Sequence, residues 1–516
     1  MHQIKHRSVA FSYFLILPIF VVLIIAGTTK GAQSGEVIIA IGSQSFFCKG
    51  GDPATQSAPP PIVSETVFDS LVHLDKYRNV IPAIAKSWTI APGWKYIDFY
   101  LRDDVKFHNG DPVTSEDIKF SLETYMRPEL RFLFRPNWRD VISKIELVSP
   151  KQVRLYLSTA DWSFLQRLWW GGGIMPKGYR EKVGDEAFAN KPIGAGPFKW
   201  TDYKQDQWIQ LESLEKHYRM PPTFKMLKIL YVPDHSTRFA MLKSGEVDIA
   251  ALIGPHVAQV SSDPNLRVFL VKYVSSSTIV YADLTNKENK SPFHDIRVRR
   301  AVSLAIDRKS ICEKILQGNS EPYGDVINPL CLGYDKSLKP DPYDPKKARA
   351  MLADAGYPNG FSTTLHVMRN NYSAEALAAN LEDVGIKTKI EVYEGGTFYT
   401  KFFQKKFDGL VPWSGWFGAD KAAASDLNDT YLKGMPYTYY ITDEIDKALR
   451  DAMWVETEKE MTLWGKKISQ LIRESHITTF LWANHEAFGL SSKIKSWEPT
   501  IGGTPACEYA TIKLNR

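Results

Sequence analysis

Apolar and polar positions alternate along this chain in two rhythms, one with a period of two and one close to 3.6, and the two take turns from end to end. Glu36 to Ile41 (EVIIAI) is a β-branched run that predicts a first strand. Ile97, Phe99 and Leu101 alternate with Tyr96, Asp98 and Tyr100, the pattern of a strand with one buried face. Val141 to Leu157 reads as a hairpin around Ser149 and Pro150, Met226 to Val232 as a buried strand, and Tyr273 to Leu284 as a further apolar strand. Helical spacing appears where Val298, Ala301, Val302, Ala305 and Ile306 line one face over the segment Phe293 to Ile311; Arg297, Arg299 and Arg300 are expected to meet solvent or pair. Lys346 to Ala355 predicts a helix stopped by Gly356 and Pro358, and Ala374 to Val384 a helix separated by Gly385 from a strand at Ile386 to Val392. Phe398 to Phe403 begins a helix, Phe407 to Leu410 a strand, Ile441 to Glu474 two helices, and Thr479 to Asn484 a late strand. Strands alternating with helices in this way predict an α/β architecture.

The punctuation between these segments is specific. Lys191 to Trp200 (KPIGAGPFKW) sets two glycines and two prolines before an aromatic strand carrying Phe198, Trp200, Tyr203 and Trp208. Gly194 and Gly196 are expected to take backbone angles closed to other residues and Pro197 to fix φ, which makes a hard corner. Asn109 to Pro112 is a turn, and Thr114 caps the next helix with Asp117 in capping-box position, so Asp103, Asp104 and Asp117 read as structural rather than catalytic. The loop Gly42 to Gly51, with Ser45 and Phe46, leaves the end of the first strand, where α/β sheets place ligands. Trp169 and Trp170 precede three glycines, but no Gly-Lys-Ser/Thr follows, so this is no phosphate loop; the pair is either core or a platform for a ligand.

Composition narrows the picture. A chain of 516 residues, 44% hydrophobic, is long enough for two or three cores, and 14 tryptophans suit generous cores or a stacking surface. The formal charge of +6 falls to about +3 once Lys5, Arg7 and Lys30 of the first 32 residues are set aside, and no dense basic run points to nucleic acid. Those first 32 residues read as a secretory signal peptide: a basic start, an apolar run from Val9 to Ala26, then small and polar residues. An uncleaved membrane anchor is the alternative. No cysteine closely follows the apolar run, which favours a soluble periplasmic protein over a lipoprotein. Export permits disulfides among Cys48, Cys312, Cys331 and Cys507; the spacing of Cys312 and Cys331 allows a local bridge, and Cys48 with Cys507 would tie the first strand to the C-terminus. No CxxC or Cys/His cluster suggests zinc, and His485-Glu486 meets Gly489 where a metalloprotease would need its second histidine.

Several stretches carry a family resemblance. Met175 to Lys199, the segment Val67 to Glu123 with its pattern W…Y.F.LR…F..G.P.T..D..FS, DHSTRFAMLKSGEVDIA from Asp234, FHDIRVRRAVSLAIDRKSI from Phe293, and DPYDPKKARAMLADAGYPNGF from Asp341 resemble the family 5 extracellular solute-binding proteins. The resemblance covers most of residues 36–495 in order. It implies a two-lobe periplasmic binding protein fold of the cluster C type with an extra inserted subdomain in the first lobe. The implied division is a signal peptide at 1–32, a first lobe at 33–275 with the insert at about 60–190, a second lobe at 276–480, and a return to the first lobe at 481–516. It also implies the role: a periplasmic, monomeric substrate-binding component of an ABC importer, with no cofactor, no metal and no catalysis, delivering a peptide or similar amine-bearing solute to an inner-membrane permease.

Val411 to Asp420 (VPWSGWFGAD) resembles the segment in which peptide-binding relatives receive the ligand's ammonium on an aspartate, here Asp420, and pack its chain on a tryptophan wall, here Trp416 with Trp413 beside it. Ser45, Phe46, Trp169 and Trp170 complete the candidate ligand-binding set. The chain departs from its relatives after Asp420, running Lys421-Ala422-Ala423-Ala424-Ser425, and Lys421 could neutralise the acid. The tryptophans with flanking glycine and serine would equally suit an oligosaccharide or an opine-like sugar conjugate. A two-domain secreted hydrolase is a third reading, weakened because no Gly-x-Ser-x-Gly elbow or metal-ligand spacing is present.

Overall fold

The computed structural model describes residues 35–42, 50–54, 66–127, 138–286, 288, 290–369, 371–416, 421–422, 427, 430–499 and 508–515, within one compact unit running from Gly35 to the C-terminus. In chain order the elements used below are β1 (Glu36–Ile41), β2 (Ala85–Ile90), β3 (Tyr96–Leu101), α1 (Ser115–Tyr125), β4 (Ile142–Ser149), β5 (Gln152–Leu157), α2 (Phe164–Gly171), β6 (Phe198–Lys204), β7 (Trp208–Ser213), β8 (Met226–Tyr231), α3 (His235–Ser244), β9 (Ile249–Leu252), β10 (Leu266–Tyr281), α4 (Ile296–Ala305), β11 (Ser320–Pro322), α5 (Pro345–Asp354), β12 (Phe361–Met368), α6 (Ala374–Glu382), β13 (Ile386–Tyr393), α7 (Gly395–Phe403), β14 (Leu410–Trp416), α8 (Asp443–Ala452), α9 (Glu458–Ser475) and β15 (Thr478–Ser491).

An 11-stranded mixed sheet organises them, in the order β13-β12-β14-β10-β15-β9-β1-β8-β7-β6, with β11 added to β15. At one end β1 runs parallel to β8 and β9; at the other β12 runs parallel to β13 and β14. The two ends are joined by the long antiparallel pair β10 and β15, which pair with one another on both sides of a kink. Between β1 and β6 the chain builds a separate four-stranded antiparallel sheet, β2-β3-β5-β4, whose inward Ile97, Phe99, Val153 and Leu155 share one core with Val37, Leu211 and Leu227 of the main sheet. The other end has its own core, where the α4 stripe Val298, Ala301, Val302 and Ala305 meets Leu365, Leu377 and Ile386. A third core beneath α8 and α9 is built on Ile445, Leu449, Ile468 and Ile472.

Three details differ from the sequence-based expectation. Gly194 and Gly196 do not have left-handed φ; they are needed for space, since a Cβ at Gly194 would stand 2.0 Å from the Val67 carbonyl oxygen and one at Gly196 2.5 Å from that of Thr66. The segment Phe293 to Ile311 is not one helix: α4 stops before Ile306, whose extended ψ of 117° frees the buried Arg308 to donate to the carbonyls of Ser303 (2.9 Å) and Phe480 (2.7 Å). Arg299 is likewise inside, donating to the carbonyls of Phe293, Ser475 and His476 at 2.7–3.0 Å. Cys312 and Cys331 keep their thiols, packed into different cores, so the local bridge does not form. Cys48 and Cys507 lie outside the described residues.

Candidate functional site

The chemistry of a site between the two ends of the sheet starts with the strands that cross. β10 pairs with β15 from Leu266 to Val271 and again from Ser275 to Val280, with a register shift at Lys272–Val274. At the centre of that shift Tyr273 takes φ 58°, the left-handed region that a tyrosine adopts only when its surroundings hold it there. Its N–H donates to His485 Nδ1 (3.2 Å), its carbonyl accepts from Asn328 Nδ2 (2.9 Å), and its hydroxyl donates to Glu321 Oε1 (2.8 Å). Because His485 Nδ1 accepts, the ring proton sits on Nε2, which faces Glu321 Oε2 at 3.5 Å. Burial pushes the His485 pKa down, in keeping with a neutral ring.

Beside this kink lies a polar ladder. Asn484 Nδ2 donates to the hydroxyls of Ser275 and Ser277 at 2.9 Å, Ser320 donates to Asn484 Oδ1 (3.0 Å), and Ser277 and Ser414 share a hydrogen bond of 2.8 Å. Ser414 is exposed, so the ladder ends at the surface. β14 supplies that serine and, by alternation, turns Val411 and Trp413 to the opposite face.

Among the described residues, residues 78–166 also meet residues 331–456. Trp162 donates its backbone N–H to the Val455 carbonyl (2.9 Å), and its side chain packs against both the first and the third core. Trp94 Nε1 donates to the Glu456 carbonyl (3.3 Å). Arg78, fully buried at the tip of the hairpin Val72–Leu74/Val80–Pro82, brings one guanidinium nitrogen to 3.2 Å from Cys331 Sγ. Lys421 donates its N–H to Gln166 Oε1 (3.0 Å) and its ammonium to Asn79 Oδ1. The Lys421 ammonium is therefore engaged with the N-terminal half.

The candidate ligand-binding residues distribute as follows. Trp413 is buried, stacked on Phe402 at 4.5 Å and beside Tyr437 at 5.3 Å, with no acceptor for its indole N–H among the described residues. Trp416 is the last residue of β14, opposite Ser275 in register. Trp169 in α2 is buried with its ring edge on His73 (5.6 Å), and Trp170 follows it in the same helix. Ser45, Phe46 and Asp420 lie outside the described residues. The loop that holds the first two leaves from Gly42, where a Cβ would stand 2.3 Å from a guanidinium nitrogen of Arg238. Arg238 in turn donates to the carbonyls of Val232 (2.6 Å) and Ala251 (2.7 Å) at the C-terminal ends of β8 and β9, so the loop starts from the strand ends as the sequence predicts. Sequence reasoning missed Arg78, Gln166 and the group Tyr273–Glu321–His485. Only Arg78 left a trace: it sits at φ 64° in the turn Asp75-Lys76-Tyr77-Arg78-Asn79, where Asp75 Oδ1 accepts from the N–H groups of Tyr77 and Asn79.

Comparison with known proteins decides the family. Residues 79–434 match the model of the bacterial extracellular solute-binding proteins, family 5. The chain belongs to that family. It is 28% identical over 447 residues to heme-binding protein A of Haemophilus influenzae, covering 79% of this chain and 80% of that protein. To di/tripeptide-binding protein 1 of Pseudomonas aeruginosa it is 27% identical over 491 residues, covering 85% and 90%. Among solved structures it is similar to the periplasmic binding protein DppA of Helicobacter pylori in complex with the peptide STSA, with a TM-score of 0.78 at 24% identity over 93% of this chain and 98% of that one. The fold is the two-lobe, cluster C arrangement of periplasmic binding proteins, and the four-stranded sheet falls in the chain between β1 and β6. Family 5 proteins bind solutes outside the cytoplasm, and the relatives named are binding proteins. Among the described residues no helix is long and apolar enough to cross a membrane.

Proposed function

We propose that this family 5 protein is the substrate-binding component of an ABC importer, that it is not an enzyme, and that it captures a peptide or similar amine-bearing solute between two lobes meeting near residue 275. The observation that carries this reading is that, among the described residues, two long strands, β10 and β15, pass from one half of the sheet to the other, with a register shift at Lys272–Val274. Strands kinked at one level can act as a hinge, and a ligand that touches both lobes favours closure by its differential affinity for the closed form. Asp420 and Trp416 stand in this reading as ammonium partner and packing wall, with Ser45, Phe46, Trp169, Trp170 and Trp413 as further contacts or their support. Because the Lys421 ammonium donates to Asn79 Oδ1 and its N–H to Gln166 Oε1, this cation has a partner of its own, which favours the amine-bearing class. Residues 1–32 act as a signal peptide, the mature protein is a periplasmic monomer, and its partner is an inner-membrane permease.

One observation favours a second reading. The ladder Ser414–Ser277–Asn484 offers hydroxyl and amide groups at the surface of β14, which suits the hydroxyls of an opine-like sugar conjugate. A thermal-shift panel of peptides, oligosaccharides and opine-like conjugates separates the two, since a ligand at a hundred times its Kd stabilises by about 2.7 kcal/mol. Loss of peptide binding in Asp420→Asn supports the first reading. Retention in that variant, with loss in Trp416→Ala and Ser414→Ala, moves the assignment to the second. Turnover of any panel member would overturn both.

A further inference from the structure

A cavity of about 520 Å³ opens in the C-terminal half, between the end of α7 and the start of α8. Lys405, Tyr439, Tyr440, Thr438, Leu284 and Ile441 are among its lining residues, none of them in the ligand-binding set above. Its size lies within the range of small-molecule sites.

Lys405 is placed there by an unusual backbone. It takes φ 54° just past α7, where its N–H donates to the Phe402 carbonyl (3.1 Å) and that of Lys406 to the Lys401 carbonyl (2.9 Å), the paired bonds of a Schellman ending whose left-handed position glycine fills most easily. The side chain turns back over the rings of Tyr439 (4.4 Å to the centroid) and Phe402 (5.4 Å), and the ammonium donates to the Pro436 carbonyl. Among the described residues no carboxylate pairs with it. The acid on the cavity wall, Asp443, is already held by Lys433 at 3.2 Å. Tyr439 is more than nine-tenths buried, and its hydroxyl, closed to water, has no acceptor among the described residues, so a guest in the cavity meets the Lys405 ammonium and not this hydroxyl.

We propose that this cavity is a binding site for a small organic monocarboxylate with an apolar or aromatic body. The carboxylate meets the Lys405 ammonium at the cavity wall, and the body packs on Leu284, Ile441 and the Tyr440 ring. The site is separate from the inter-lobe cleft and does not depend on the cleft's own ligand class.

Burial lowers the Lys405 pKa to about 8, so the amine is charged at neutral pH and loses its proton in mild alkali. The titratable groups on the same walls are Tyr439, whose hydroxyl burial holds above its ordinary range, Tyr440, and the Lys433–Asp443 pair. Carboxylate affinity should therefore hold up to about pH 7.5 and fall about tenfold or more by about pH 9.5, as the cation disappears.

The test is calorimetric titration of the whole protein with benzoate, and with benzamide as a neutral molecule of the same shape. Benzoate is expected to bind at least about tenfold more tightly than benzamide at about pH 7, to lose that advantage at about pH 9.5, and to weaken about tenfold or more in Lys405→Met. Trp416→Ala should leave benzoate binding unchanged. Equal binding of benzoate and benzamide by the wild-type protein would overturn the proposal without recourse to any variant. So would absence of benzoate binding at millimolar concentration, or affinity that survives Lys405→Met but falls in Trp416→Ala, which would place benzoate in the cleft.

Discussion

At the scale of single residues, Glu486 is the most consequential group that sequence could not interpret. Its neighbour in the chain, His485, drew attention as a failed metal motif, yet what defines Glu486 is Arg238, far away in sequence. The carboxyl lies beside the strand kink, one oxygen buried without a partner, and burial pushes its pKa up to about 8 against the pull of Arg238. Arg238 offers limited relief because its nitrogens already serve the carbonyls of Val232, Pro233 and Ala251. A raised carboxyl pKa means that folding takes up a proton between the unfolded value near 4.3 and about 8. The cost is absent below about pH 4, grows through that window and is complete above about pH 8. Glu486→Gln should therefore be more stable than wild type by about 1 kcal/mol or more at pH 8 in urea unfolding, and equal to it at about pH 4. A constant difference at both pH values would show that packing, not ionisation, sets the effect. Gly194 teaches the complementary lesson: the chain marks it plainly as special, but whether it is required for its backbone angle or for a backbone 2.0 Å from a would-be Cβ is visible only in three dimensions.

At the scale of elements, period and punctuation located most strands and helices, because β-branched runs, caps and glycine stops act within a few residues. The α4 break is the instructive miss. Val298 to Ile306 has helical spacing throughout, but Arg308 is drawn inside to the Phe480 carbonyl of β15, and a tertiary demand overrides a local pattern. The kink in β10 is a second element set by distant partners, with Glu321, Asn328 and His485 converging on Tyr273 from β11, a following loop and β15. Glu321 and burial together push the Tyr273 hydroxyl up to about 12, so it remains a donor to the carboxylate across the physiological range. Tyr273→Phe removes one charge-assisted hydrogen bond and should cost about 1–2 kcal/mol. The same variant should speed amide exchange at Ser275 to Ser277, where pairing resumes after the register shift, while leaving exchange in β1 and β8 unchanged. Uniform acceleration over the whole sheet would mean general destabilisation and would remove Tyr273 from the role of hinge clamp.

At the scale of the whole molecule, the contacts between the halves have a common character. Two of them are N–H groups, the backbone amide of Trp162 and the indole of Trp94, donating to the consecutive carbonyls of Val455 and Glu456 in the connection between α8 and α9. No periodicity in that connection announces a docking surface, because backbone carbonyls carry no side-chain signature; the candidate site was legible in sequence only where a side chain resembled a relative's. Trp162 does more than donate, since its ring rests on the first core and on the third at once. If the halves separate when the solute leaves, that ring is stripped of one of its two surfaces, so its burial counts toward the closed form alone. Truncation should then shift the equilibrium toward the open form by the difference, about 1–2 kcal/mol for part of an aromatic side chain. Ligand affinity, which scales with the fraction of closed-competent protein, would drop about tenfold without loss of any ligand contact. Trp162→Ala is thus expected to raise the radius of gyration of the ligand-free protein in small-angle scattering, to weaken the ligand found in the thermal-shift panel, and to recover the wild-type radius at saturating ligand. An unchanged radius in the free variant, with the same loss of affinity, would place Trp162 against the ligand itself and leave the two-state account of closure without support from this residue.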